Sequence, residues 1–149
     1  SSSSRPTMQD NHKILVVKIV VTFASLVYGI VPAIADLNET HLYNLGWSPH
    51  ARVHGAWFLF FGGFLALLAI HLLWIRNDAV LPIVIALCFV AGFWLAYLTS
   101  SYYGGALVDS NGIGVQILGV ESNLFVFSVL AVLLSGCLCF RPSPPREEG

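Results

Sequence analysis

Hydrophobic positions in this chain fall into four long runs, with polar positions gathered between them. The runs cover about residues 14–35, 51–75, 79–100 and 115–140. A helix that crosses a bilayer needs about 20 residues. Each run exceeds the roughly 18 residues that separate a spanning helix from a buried core helix. In lipid the backbone has to satisfy its own hydrogen bonds, so such runs predict helices. The expected fold is all-α: an integral membrane protein whose residues 14–140 form an antiparallel four-helix bundle. Residues 1–13 and 141–149 read as disordered tails, the second rich in Pro and Glu. The first run is too long for a signal peptide core, and Ile34-Ala35-Asp36 is a poor cleavage context, so it reads as an anchor.

Composition supports this. Hydrophobic residues make up 56% and charged residues 10% of the 149, and mean hydropathy is +0.77. Soluble domains carry about 25% charged residues. The net charge of −1 gives no reason to expect a nucleic-acid partner. Cys88, Cys137 and Cys139 all sit inside apolar runs and read as small buried hydrophobes.

The few basic residues give an orientation. Arg5, Lys13 and Lys18 lie on the N-terminal side of run one, Arg76 lies in the turn after run two, and Arg141 and Arg146 follow run four. The loop after run three has no Lys or Arg, and the loop after run one has only Arg52 at its far end. The positive-inside rule then places both termini in the cytoplasm, with the plasma (inner) membrane as the expected location. Lys18 lies one turn inside run one and is expected to snorkel to the inner interface.

The polar residues concentrate after run one, in the stretch Asp36 to His54. Ser48-Pro49 has the form of a helix start, with Ser48 as N-cap and Pro49 in the first turn. His50 and His54 then fall four apart on one face, and Trp57 and Phe61 continue that stripe. The spacing suits metal ligands, with His41 or Asp36 to complete the set, so His41, His50 and His54 are metal candidates. No Glu stands between the histidines as in a zinc-protease motif, and a hydrogen-bonded lid over the helix ends is the plainer reading. Arg52 is either a salt-bridged anchor to Asp36 or Glu39, or a fork for an anionic head group. Asn38-Glu-Thr40 matches a glycosylation sequon by chance.

Glu121 is the second signal. A carboxylate about two turns into run four is costly in lipid and suggests function. With Asn123 it is expected to face His50 and His54 and to exchange a proton with them. The alternative is a run that starts later, leaving Glu121 in the wet interface. His71 lies 17 residues after His54, about 25 Å along a helix, and belongs to the inner end. A haem held by two histidines on different helices is not provided for. The segment from Ser101 to Gly114 reads as a flexible cover with Tyr102 and Tyr103 at the interface.

Thr40-His41, Asn44, Trp47, Pro49-His50-Ala51-Arg52, His54 and Trp57 together resemble a motif of small uncharacterised four-span membrane proteins of DoxX-like general plan. The motif runs roughly THxxNPxWPPHARFHxxW, and this chain departs from it at Leu45, Ser48 and Val53. The resemblance implies the four-span plan and brings no established activity.

Two classes of function follow. One is a membrane protein that binds a lipid or hydrophobic small molecule, or serves as an accessory subunit to a membrane protein partner or second copy. Asp36, His41, Asn44, Arg52, Trp57 and Asn123 would then line a polar mouth on the extracytoplasmic side. The other is a membrane enzyme doing acid/base chemistry on a lipid-soluble substrate, with His50, His54 and Glu121 as catalytic groups, possible metal assistance, and a cofactor that the residues do not name.

Overall fold

The computed structural model describes residues 8–108 and 114–140. Four helices are long and apolar enough to cross a membrane: α1 (Met8–Ala35), α2 (Pro49–Trp74), α3 (Val80–Leu98) and, last in the chain, Ser122–Phe140. A short helix α4 (Ser100–Tyr103) follows α3, so the final long helix is α5. A small antiparallel pair, β1 (Gln116–Ile117) and β2 (Val120–Glu121), precedes α5.

The long helices start and stop for local reasons. Ser48 is extended (ψ 150°) and accepts a hydrogen bond from the Ala51 amide, and Pro49 opens α2, as expected from their order. Asp78 performs the same task for α3, its Oδ1 accepting from Val80 N at 2.9 Å. Helix α1 begins six residues earlier than its apolar run. Residues 8–13 are helical rather than a tail, because Gln9, Asp10 and Lys13 are as compatible with a solvated helical turn as with coil. The tails expected at residues 1–7 and 141–149, and residues 109–113 of the third loop, lie outside the described residues.

The fourth span is shorter than its apolar run. Residues 116–121 form a hairpin, and the helix starts only at Ser122. The hairpin turn carries positive φ at both central residues, Leu118 (52°) and Gly119 (79°), the signature of a type I′ turn. Glycine takes that conformation freely, and leucine does not. Of the segment expected as a flexible cover, Ser101 to Gly114, the first residues belong to the short helix α4.

Helix α1 is interrupted at Leu26–Ile30 by one π-helical turn, where Val31 N–H reaches back to Leu26 O. Pro32 has no N–H to continue the α-helical ladder, which is the local cause of the rearrangement. The turn brings Gly29 against α2. A Cβ on Gly29 would stand 2.4 Å from Ala66 Cβ and 2.6 Å from Gly62 O. Such close approach is what small residues permit when helices pack in lipid.

Helices α1 and α2 run antiparallel, as their cross-contacts show. Lys18 Nζ donates to Asn77 Oδ1 at 2.8 Å, Trp74 Nε1 donates to Thr22 Oγ1 at 2.9 Å, and Gly29 meets Gly62 and Ala66. Lys18 also lies 5.0 Å over the Trp74 ring. Its charge is thus held by the turn after α2. Further inward, Val17, Val21, Ala24 and Tyr28 of α1 form one buried cluster with Ala66 and Leu73 of α2, Ile83, Ala86 and Val90 of α3, and Leu130, Leu134 and Cys137 of α5. Helix α3 packs on α1, α2 and α5, and α1 also packs on α5. Helices α2 and α5 share no packed interface. Most of the remaining apolar surface points outward, including Trp57, Phe60, Phe64 and Leu67 of α2. That distribution suits helices surrounded by hydrocarbon rather than water.

Candidate functional site

The segment between α1 and α2 is organised by Asn38. Its Oδ1 accepts from Thr40 N (2.9 Å), His41 N (3.1 Å) and Thr40 Oγ1 (2.8 Å), and its Nδ2 donates to Ala35 O at 2.8 Å. This is an Asx-type turn, in which a side chain stands in for backbone partners. Asn44 continues it, taking Gly46 N on its Oδ1 and giving its Nδ2 to Thr40 O. The loop then lies against α2, where Gly55 leaves room for the Trp47 ring and Leu42.

The expected site residues fall into three groups. In the first, His41 Nε2 lies 4.0 Å from Asp36 Oδ1, while His41 Nδ1 bonds Thr40 Oγ1 at 2.8 Å. In the second, His50 and His54 meet through their Nε2 atoms at 3.0 Å, ring edge to ring face, with Trp57 6.0 Å beyond His54. Both histidines are exposed. In the third, Glu121 stands at the start of α5. It accepts Leu124 N on Oε2 (3.0 Å), and Asn123 Nδ2 (3.0 Å) and Ser122 Oγ (3.2 Å) on Oε1.

These groups remain separate. No hydrogen bond or ion pair among the described residues joins Glu121 or Asn123 to His50 or His54, and α2 and α5, which carry them, are not packed together. Glu121 caps a helix: its carboxylate takes Leu124 N, one of the free amides that every helix N-terminus presents. That accounts for a carboxylate beside an apolar run without invoking chemistry. His41 stands with Asp36 and away from the other histidine pair, and the described residues hold no cluster of three or more His, Cys, Asp or Glu arranged for a metal. Arg52 pairs with neither Asp36 nor Glu39. Its Nη2 donates to Trp47 O at 3.2 Å, and its Nε is buried without a partner. His71 lies at the far end of α2, exposed, where its carbonyl accepts Ile75 N.

One further feature has a lining that the polar pattern did not mark. A cavity of about 740 Å³ lies between the helices. Helix α1 contributes Tyr28 and Pro32, with Asp36 just past its end; α2 contributes Phe58, Phe61 and Leu65; α3 contributes Val84, Ile85, Cys88, Phe89, Gly92, Phe93 and Ala96; α5 contributes Phe127. Two stacked ring pairs build its walls, Tyr28 on Phe89 and Phe93 on Phe127, each with centroids 4.2 Å apart. Phe61, Val84 and Cys88 line it and are also exposed, so it opens outward between α2 and α3. Of its lining residues only Asp36 is charged. The volume lies within the roughly 300–1,000 Å³ typical of small-molecule pockets.

The π-helical turn carries both Tyr28, which stacks on Phe89 of α3, and Gly29, which packs on α2. Such turns recur at functional sites. Opposite them, Gly92 has no atom within 4 Å of where a Cβ would stand. The available sequence signal was an aromatic residue four positions before a proline in an apolar span, with a glycine between.

No curated protein and no solved structure matches the chain. One family does: its sequence profile matches residues 19–140, which take in α1 from Ile19 onward, the polar loop, the other three long helices and the cavity. The chain belongs to a family of unknown function, DUF6640.

Proposed function

We propose that this protein is a membrane-embedded binding protein for a hydrophobic small molecule or lipid, which it holds in the cavity between α1, α2, α3 and α5. In this reading the four long helices form an antiparallel bundle across the plasma membrane, with both termini cytoplasmic and the Asp36–His54 loop on the outer side. The observation that carries it is the cavity itself: about 740 Å³, walled by apolar and aromatic side chains, opening where hydrocarbon would surround the helices, with one carboxylate at its end. A ligand dissolved in the membrane enters such a space sideways, without crossing water. Apolar walls give it volume and shape selection, and the rare polar group sets its orientation.

An acid/base enzyme built on Glu121 with His50 or His54 has less support, because Glu121 is engaged as a helix cap. The two histidines bond each other.

The test uses Gly92. Gly92 lines the cavity and has open space where a Cβ would stand, so leucine at this position is expected to take up cavity volume. Native mass spectrometry of the protein released from nanodiscs is expected to show a co-purifying hydrophobic molecule on the wild type. Gly92→Leu is expected to lose it while keeping its helical circular dichroism. Equal retention by both would contradict the reading.

A further inference from the structure

At the start of α2, two histidine rings converge. Ser48 accepts from Ala51 N and Pro49 opens the helix, which fixes where α2 begins and sets His50 and His54 one turn apart on one face. Their Nε2 atoms stand 3.0 Å apart, and the rings meet at 86°. Both residues are exposed. Neither ring makes another hydrogen bond among the described residues. Arg52, the charged residue between them in the sequence, is engaged elsewhere, with its Nη2 donating to Trp47 O.

A nitrogen pair this close has two uses. As a hydrogen bond, one neutral ring donates from Nε2 and the other accepts. When the donor ring carries its proton on Nδ1 instead, both Nε2 lone pairs become available together, with no proton gained or lost. Imidazole nitrogens bind a divalent metal at about 2.0–2.1 Å. Two of them 3.0 Å apart then subtend about 95° at the ion. That is close to the right angle between neighbouring ligands of a tetragonal ion, whereas a tetrahedral ion would hold them about 3.3 Å apart.

We infer that His50 and His54 form a two-nitrogen site for a divalent transition metal of tetragonal preference, copper(II) above nickel(II), at the exposed start of α2. Water completes the coordination, because no third His, Cys, Asp or Glu joins the pair among the described residues. The ion therefore exchanges with the aqueous phase rather than being locked into the fold. The helix dipole opposes a cation in the first turn but fades within it, and His54 lies one turn further on. The site is separate from the cavity, which neither histidine lines.

Copper(II) titrated into the protein in phosphatidylcholine nanodiscs, in a buffer free of amines, tests this. Bound metal is read by electron paramagnetic resonance and by quenching of Trp57, whose ring centroid lies 6.0 Å from that of His54. The expected spectrum is tetragonal, with hyperfine structure from a pair of nitrogens. His50 and His54 are exposed and lie outside the buried core. His50→Ala and His54→Ala are therefore each expected to keep the helical circular dichroism. Each is expected to weaken binding about tenfold or more, because a chelate becomes a single ligand. His41→Ala is expected to bind copper as the wild type does, and Trp57→Phe to keep the spectrum while losing much of the quenching. Nickel(II) is expected to bind more weakly than copper(II). A spectrum from a single nitrogen, or copper binding that survives in the His50→Ala, His54→Ala double variant, would overturn the site.

Discussion

The Tyr28 ring lies almost parallel to that of Phe89, with centroids 4.2 Å apart and planes inclined by 15°. This pair ties α1 to α3 at the cavity wall. Phe58 of α2 approaches the same Phe89 ring at 6.2 Å, so one aromatic side chain joins three helices. Phe89→Ala is expected to widen the cavity and lower stability by about 1–3 kcal/mol. That is less than the 3–5 kcal/mol typical of soluble cores, because a separated helix in lipid still has apolar surroundings. Thermal unfolding in detergent, followed by circular dichroism, measures it.

The contact between Gly29 and α2 should tolerate no side chain. A methyl group there meets Ala66 Cβ at 2.4 Å and Gly62 O at 2.6 Å. The second is backbone and cannot rotate away. Gly29→Ala is therefore expected to lower the melting temperature or prevent folding. Adding Ala66→Gly relieves only the first clash, so rescue is expected to be partial. Full rescue would mean that the backbone approach is looser than described.

Where α1 meets the end of α2, Lys18, Thr22, Trp74 and Asn77 form a polar clamp. Lys18→Met and Trp74→Leu are each expected to destabilise the α1–α2 pair. Together they should cost less than the sum, because the cation–π contact is lost in either. A double-mutant cycle is expected to return a coupling of about 0.5–1 kcal/mol. A coupling of zero would separate the lysine from the tryptophan.

The hairpin before α5 carries Leu118 at φ 52°, a conformation that Asn adopts more readily than Leu. Leu118→Asn is expected to stabilise the protein slightly, by about 0.5–1 kcal/mol. Glu121→Ala, by contrast, removes the acceptor for Leu124 N and is expected to cost about 1 kcal/mol. Glu121→Gln retains one acceptor oxygen and should change ligand retention little. Loss of retention in Glu121→Gln with folding intact would return that carboxylate to the site.

What could be read from the chain was the part encoded locally. The apolar runs located four helices to within a few residues at most ends, and Ser48-Pro49 marked the start of α2. The i, i+4 spacing placed His50 beside His54. Run four misled for a physical reason: Val115, Ile117, Leu118 and Val120 are apolar in a hairpin as they would be in a helix, and Leu118-Gly119 lacks the Asn-Gly or Asp-Gly signature of its turn. The proposed meeting of Glu121 with the histidines depended on which helices are neighbours, and hydropathy carries no such information. The lining of the cavity was not legible for the same reason. Its walls come from four helices, and its lining residues look individually like lipid-facing filler. Asp36 and His41 stood out as polar residues, but their approach to one another depends on the Asn38 turn.

The most direct measurement of the binding reading is photo-crosslinking in nanodiscs with a diazirine on a long alkyl chain, mapped by peptide mass spectrometry. A molecule seated in the cavity is expected to label Leu65, Ile85, Phe89 and Phe93, and Gly92→Leu is expected to suppress that labelling. Labelling confined to the outward residues Phe60, Phe64 and Leu67, unchanged by Gly92→Leu, would contradict it: the space between the helices would then hold no ligand.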